Sequence, residues 1–278
     1  MTTAAFRTFN GAFRLGFKNT LRGYTGTGWL VSTLLTPLFL VASAWVISRL
    51  VAPDGSPDRF TALTGITDYL TFVVIGFAFN GFLLSALDDG GSAVYDEQQA
   101  GTFELLAMSP MNPFAWMFGK TLASQVAAII DLAIVIAVGG LLFGLQLTPT
   151  GLAWALLGLV LTLAALQGVA FVFAALGLGL KEPHALTVLM SPVFIFLSGM
   201  MFPVQALPGW VQVFSYSFPL THGLDLVRGA LLTGAGAEAL LPSVWGLLVT
   251  GAVWITVGWV SFRALEKRAR AKGTLGTY

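Results

Sequence analysis

The chain contains no cysteine. Disulfide frameworks, zinc-thiolate sites and thiol nucleophiles are therefore excluded. Charge is also scarce: Asp, Glu, Lys and Arg make up 10% of its 278 residues, against about 25% in an ordinary soluble domain. Fourteen basic and 13 acidic side chains are too few to cover a soluble surface of this size. Long stretches between Gly28 and Leu265 carry none, and lipid rather than water can solvate them. The net charge of +1 gives no basis for nucleic-acid binding.

Two motifs are incomplete. Gly119-Lys120-Thr121 ends like a phosphate-binding loop, but Phe114 stands where the loop needs glycine. Trp116, Met117 and Phe118 are bulky where backbone amides would wrap phosphate. Nucleotide binding by this chain is rejected, and Lys120 is expected to snorkel toward headgroups. Ser198-Gly199 with His222 hints at an intramembrane serine protease, but position 196 is Phe rather than Gly. His184, the other histidine, falls on the opposite side of the membrane, and nucleophile and base must share one site.

Apolar runs are abundant, with 56% of residues in the hydrophobic class. A hydrocarbon core of about 30 Å needs about 20 helical residues. Six spans are predicted: 28–50, 68–87, 118–145, 152–180, 185–204 and 244–265. The third and fourth, at roughly 42 Å each, should tilt or project beyond the bilayer. The fold class is thus an all-α integral membrane protein with one transmembrane domain over residues 1–278. Arg7, Arg14, Lys18 and Arg22 precede the first apolar run, and Ala42-Ser43-Ala44 resembles a cleavage site. The length of that run, through Val51, favours an uncleaved span over a signal peptide.

Basic residues set the orientation. With both termini inside, the inner side holds ten: Arg7, Arg14, Lys18, Arg22, Lys181, Arg263, Lys267, Arg268, Arg270 and Lys272. The outer side holds three, Arg49, Arg59 and Arg228. The inner segment 88–113 has neither Lys nor Arg but carries Asp88, Asp89, Asp96, Glu97 and Glu104.

Residues 1–24 read as an interfacial helix. Phe6, Phe9, Phe13, Phe17 and Leu21 fall within roughly 60° of one direction, and the four cations cluster about 115° away. Leu15 falls on the wrong face. Such a helix lies among headgroups with its cations on anionic lipid. Residues 205–242 are apolar for an outer segment and are divided by Pro208, Pro219 and Pro242. Two short helices dipping into the outer leaflet fit this pattern, a seventh span being the alternative.

Inside the spans, Asp131 should cost about 2.5–3.5 kcal/mol to insert. Lys120 lies eleven residues earlier, roughly 16 Å along the axis, and is out of its reach. Asn80, Gln125 and Gln167 are further polar groups. With Asp131 they form a candidate translocation path; the alternative is interhelical hydrogen bonding at about 0.6–2 kcal/mol per contact. Gly140 and Gly144 have a close-packing spacing.

Two segments together resemble the permease subunits of type-2 ATP-binding-cassette exporters. The first runs from Glu97-Gln98-Gln99-Ala100-Gly101-Thr102-Phe103-Glu104-Leu105-Leu106 to Ser109-Pro110, between spans two and three, where that family has its cytosolic coupling element. The second includes Ser198-Gly199, Phe202-Pro203-Val204, Leu207-Pro208-Gly209-Trp210, Pro219-Leu220-Thr221 and Asp225 to Arg228, where that family has two re-entrant outer helices. The resemblance implies a half-transporter in the plasma (inner) membrane with both termini cytoplasmic. Two permeases, identical or paired with a sibling, would join two cytosolic ATPases. ATP and Mg would sit on those partners, with no cofactor, metal or catalytic residue on this chain. Glu97, Gly101, Thr102, Phe103, Glu104 and Leu106 would couple to the ATPase. Pro203, Pro208, Trp210, Pro219, Thr221, Asp225 and Arg228 would form the outer motif.

The residues are compatible with this. Gly101 permits a bend, and Thr102 can cap a short helix with Glu104 in its first turn. Apolar walls favour a lipophilic or amphipathic cargo. The rivals are an ion-coupled secondary transporter using Asp131, which should show inverted repeats, and a membrane-embedded lipid-modifying enzyme. No inverted repeat and no converging acid–base group is visible.

Overall fold

A computed structural model describes residues 3–23, 35–51, 58–99, 101, 112–145, 147–177, 180 and 182–272. The described residues are helical, without strands. Four helical stretches are long and apolar enough to cross a membrane: Tyr69–Glu97, Pro113–Phe143, Pro149–Gly177 and Ala237–Ala264. In chain order the helices are α1 (Thr3–Gly23), α2 (Thr36–Val51), α3 (Asp58–Thr64), α4 (Tyr69–Ala78), α5 (Asn80–Leu84), α6 (Gly90–Gln99), α7 (Pro113–Phe143), α8 (Leu152–Gly177), α9 (Pro183–Leu197), α10 (Gly209–Tyr216), α11 (Pro219–Leu232) and α12 (Ala237–Lys272).

Local chemistry explains several boundaries. Asp68 caps α4 by accepting from the Leu70 and Thr71 amides, at 3.0 and 3.3 Å. Asn112 caps α7 in the same way, accepting from Phe114 and Ala115, and Pro113 occupies the first helical position. Gly144 ends α7 with φ 68°, a left-handed conformation that glycine adopts without a Cβ clash. That is the role of Gly144. Among the described residues nothing packs on the close-packing spacing, since nothing lies within 4 Å of a Cβ built on Gly140.

The span limits differ from the predicted ones. Span two does not stop at Leu87. It breaks once at Phe79, passes through a π-helical turn at Ser85–Asp89 and continues in α6 toward Gln99. Of the carboxylates that should have ended it, Asp88 meets His184 and Asp89 is hydrogen-bonded to Ser124. Span three begins at Pro113 rather than 118, and span four ends at Gly177. Span five ends at Leu197 instead of Val204, because Gly199 turns the chain at φ 73°. At 15 residues α9 is roughly 22 Å long, short of the hydrocarbon thickness. The last helix starts at Ala237 and runs through Pro242. A proline so near a helix start removes a single intrahelical bond and does not divide the segment. Of span one, residues 28–34 lie outside the described residues.

The core forms where α4–α6, α8 and α11 meet, around Phe79, Phe82, Leu87, Leu166, Leu220 and Leu224. Helix α8 is central. A Cβ built on Gly177 would lie 1.9 Å from the Gly91 carbonyl oxygen, and one on Gly258 would lie 2.4 Å from that of Gly168. Backbones thus touch directly at the α8–α6 and α8–α12 crossings, the packing that small residues allow between membrane helices. Phe60, predicted as outer loop, is buried edge-on against Tyr69 and Phe72.

Helix α1 packs along the start of α7. Phe9 stacks on Phe13 at 6.0 Å and meets Phe118 at 5.8 Å. Arg7, Arg14 and Lys18 stay exposed, as does Leu15. Glycines at the contact let the helices close: a Cβ on Gly119 would sit 2.7 Å from the Phe9 carbonyl oxygen, and one on Gly16 3.0 Å from Ala123 Cβ. The glycine of the false phosphate loop is a packing residue. Gly119→Val is expected to detach α1 and cost about 1–3 kcal/mol through overpacking. Limited proteolysis between α1 and span one should then accelerate several-fold, and unchanged cleavage would refute this contact.

Candidate functional site

Three polar centres lie along the helices. The first joins α6, α7 and α9. Lys120 Nζ donates to Asp96 Oδ2 at 3.2 Å and to the Ala93 carbonyl at 3.1 Å. His184 Nδ1 lies 2.8 Å from Asp88 Oδ1, and its Nε2 lies 3.5 Å from Asp96 Oδ1. Ser92 donates to Asp96 at 3.0 Å. Lys120 therefore pairs across to α6. The sequence showed an acidic segment and one nearby lysine, but not their meeting. All four charged side chains are partly exposed, so each pair adds modestly to stability. Together they fix the base of α6, which leads to Glu97 and to Gly101. Gly101 has φ 68°, the sharp bend expected of it. Thr102, Phe103, Glu104 and Leu106 lie outside the described residues.

The second centre is interior. Thr121 Oγ1 donates to Gln167 Oε1 at 2.6 Å, and Gln167 Nε2 donates to Gln125 Oε1 at 2.8 Å. All three residues are buried. This chain ties α7 to α8, which is the interhelical alternative to a translocation path. Asn80 is not in it; it begins α5 just past the Phe79 break. Asp131 sits elsewhere on α7, half-buried beside Gly81, whose built Cβ would approach its Oδ2 to 4.0 Å. Of the four predicted polar residues, Gln125 and Gln167 are joined directly. Gln167→Leu should cost about 1–2 kcal/mol. It should lower the melting temperature in detergent with little change in transport. Abolished transport at unchanged stability would restore the path.

The third centre is the arch after α9. Pro208 precedes α10 and Pro219 begins α11, so the two prolines delimit the helices as expected. Pro203 is buried, while Trp210 is 71% exposed. Thr221 Oγ1 donates to the Ser215 carbonyl at 2.7 Å and closes the α10–α11 corner. Trp254 Nε1 donates to the Ser217 carbonyl at 2.8 Å, tying the corner to α12.

Arg228 dominates this centre. It is 3% exposed, whereas its sequence position suggested an outer-side charge. Its Nε and Nη2 donate to the Phe72 carbonyl at 3.2 and 2.9 Å. Nη1 donates to the Gly199 carbonyl and Nη2 to the Met200 carbonyl, both at 2.8 Å. The guanidinium also lies 3.5 Å from the Phe72 ring centroid. One planar fork of five donors thus satisfies carbonyls from α4 and from the turn after α9. Asp225, one turn earlier on α11, lines a chamber of about 360 Å³ shared with Gln205, Thr233 and Ser243. Gly76 makes room, since a Cβ there would lie 2.1 Å from the Met200 carbonyl oxygen. Tyr69 adds a hydroxyl bond to the Met201 carbonyl at 3.2 Å. Sequence reasoning missed Tyr69, Phe72, Gly76 and Met200. The available signal was an arginine three residues after an aspartate on an otherwise apolar helix.

The protease hint dissolves here. Ser198 Oγ donates to the Ile195 carbonyl at 3.2 Å, and His222 Nε2 to that of Tyr216 at 2.9 Å.

The described residues thus form a bundle of long apolar helices joined to a short helical arch. Residues 12–232 match the ABC-2 type transporter family, and the chain belongs to it. It is 27% identical over 213 residues to the inner membrane transport permease YhhJ of Escherichia coli (strain K12), covering 76% of this chain and 53% of that protein. It is 27% identical over 199 residues to the probable multidrug ABC transporter permease YbhR of the same strain, covering 70% and 53%. Against the probable doxorubicin resistance permease DrrC of Mycobacterium tuberculosis the identity is 22% over 206 residues, covering 70% of each chain. The chain thus spans about half the length of the two Escherichia coli relatives.

Proposed function

We propose that the chain is the membrane-spanning half of an ATP-driven exporter that moves a lipophilic or amphipathic cargo out of the cytoplasm or inner leaflet. Its family membership carries this reading. Relatives described as multidrug and doxorubicin resistance permeases support the cargo class. In this reading the chain lies in the inner membrane. The four long helices, α9 and the 28–50 segment make six spans. Helix α1 lies at the inner interface, and α10 and α11 re-enter the outer leaflet. Two permease copies, or this chain and a sibling, join two cytosolic ATPases that hold ATP and Mg. The segment Glu97 to Leu106 meets the ATPase, and the salt-bridged base of α6 passes its displacement to the spans.

The direct test is co-purification with a cytosolic ABC ATPase, then cargo-stimulated hydrolysis in vesicles. Absence of any associated ATPase would overturn the proposal. Orientation has its own readout, because the chain has no thiol of its own. Ser56→Cys, which lies outside the described residues, and the exposed Thr150→Cys should both react with an impermeant thiol reagent in intact cells. Reaction only after lysis would invert the topology.

A further inference from the structure

A cavity of about 530 Å³ opens between α7 and α8, and none of the roles above uses it. Its size is typical of sites for small molecules, roughly 300–1,000 Å³. It exists because α8 turns its small-residue face away from α7. A Cβ on Gly151 would lie 1.8 Å from the Ala230 carbonyl oxygen, and one on Gly158 would lie 3.0 Å from the Leu226 side chain. Helix α11 therefore packs intimately behind α8 and becomes the floor of a slot, with Val227 and Leu231 facing into it.

The slot has two rims. Ala133 and Ala137, one turn apart on α7, form one; Leu152 and Leu156, one turn apart on α8, form the other. All four are exposed. The small alanines leave the opening wide on the α7 side. The inner end is closed by Ile75 and Phe79, which are 1% and 2% exposed. The cavity therefore does not continue toward the opposite face of the membrane. Its lining from Pro149 to Leu159 extends roughly 15 Å along the helix axis. That is about half of the 30 Å hydrocarbon core. Among the described residues that line the slot, Thr148 alone carries a side-chain hydroxyl, and it sits at the far end. Its amide donates to the Leu231 carbonyl at 2.7 Å, which fixes that end of the slot.

We propose that the slot binds one acyl chain of a phospholipid from the leaflet at the Pro149 end of the spans, with the glycerol and headgroup beside Thr148. In the orientation argued above this is the outer leaflet. One-leaflet depth, a closed inner end, apolar walls and a single hydroxyl at the mouth match a hydrocarbon chain that enters sideways. The inference rests on the bilayer placement of the spans and is independent of the cargo and of the ATP drive.

The test uses the intact chain in nanodiscs of phosphatidylcholine containing a trace of phosphatidylcholine with a diazirine on one acyl chain. After irradiation, adducts are mapped by mass spectrometry. Peptides carrying Ala133, Ala137, Leu152 and Leu156 should be labelled several-fold more than those carrying Val249, Val253 and Val257, a lipid-facing row on α12. Ala133→Phe and Ala137→Phe, made separately on the exposed rim, should each lower labelling of the slot toward the α12 level and leave α12 unchanged. Equal labelling of slot and α12 in the native chain would overturn the proposal. So would undiminished slot labelling in both variants. A disulfide between two copies of Ala133→Cys would also overturn it, because a second permease would then cover the slot. Failure to find an ATPase partner would leave all these outcomes unaffected and would bear only on the exporter reading.

Discussion

Arg228→Met is expected to destabilise the chain by roughly 3–5 kcal/mol, the scale for removing one side of a buried charged network. The Gly199 and Met200 carbonyls lose their side-chain donor together, and the Phe72 carbonyl, inside α4, loses a second donor beside its intrahelical one. Each buried carbonyl left bare costs about 1–3 kcal/mol, and the shared geometry keeps the costs from adding in full. Methionine fills similar volume, so the loss reports hydrogen bonding more than packing. In a chain of this size the melting temperature in detergent should fall by about 10 °C or more. Arg228→Lys keeps a charge but gives up the planar fork, so it should fall between the two. A melting temperature unchanged in Arg228→Met would mean that the arch is held by packing alone.

The second large effect concerns the segment after α6. Phe103→Asp and Glu104→Lys, made separately, are expected to release the ATPase or uncouple hydrolysis from transport while membrane insertion stays normal. A desolvated aspartate without a partner costs several kcal/mol, and a reversed charge opposes a basic groove rim. At 1.4 kcal/mol per tenfold, ATPase retention on purified permease should drop at least tenfold. The control is Glu238→Lys, exposed in the first turn of α12 on the proposed outer side. An aspartate at Phe60 would not serve, because that ring is buried against Tyr69 and Phe72. Native retention and stimulation in both coupling variants would remove the assignment of this segment.

Helix type and order were legible in the residues because apolar length and proline or glycine punctuation are local signals. Pro208 and Pro219 mark α10 and α11, Gly101 bends, and Phe9 of the α1 stripe packs on Phe118 while Arg7, Arg14 and Lys18 of α1 stay exposed. What was hidden depends on partners distant in sequence. Lys120 looked like a headgroup-seeking lysine until Asp96 came within 3.2 Å. Arg228 counted as an outer charge until it met carbonyls 156 and 28 residues away. The extension of span two through Asp88 and Asp89 followed from the same cause, since hydropathy stops at a carboxylate whether or not a partner waits beside it, His184 for Asp88 and Ser124 for Asp89. Gln125 and Gln167 were correctly singled out as polar, yet only the fold shows that each is the other's partner.

The backbone contacts of α8 carry a mechanical consequence. Side chains that interlock between helices have rotamers to yield, and small displacements are absorbed as they repack. At Gly91 against Gly177 and at Gly168 against Gly258 there is no side chain to yield. The three helices meet there as hard bodies, with very low compliance. Under the proposed coupling, a shift delivered to the base of α6 is expected to reach α12 with little loss. The glycines make the centre of the bundle a stiff lever.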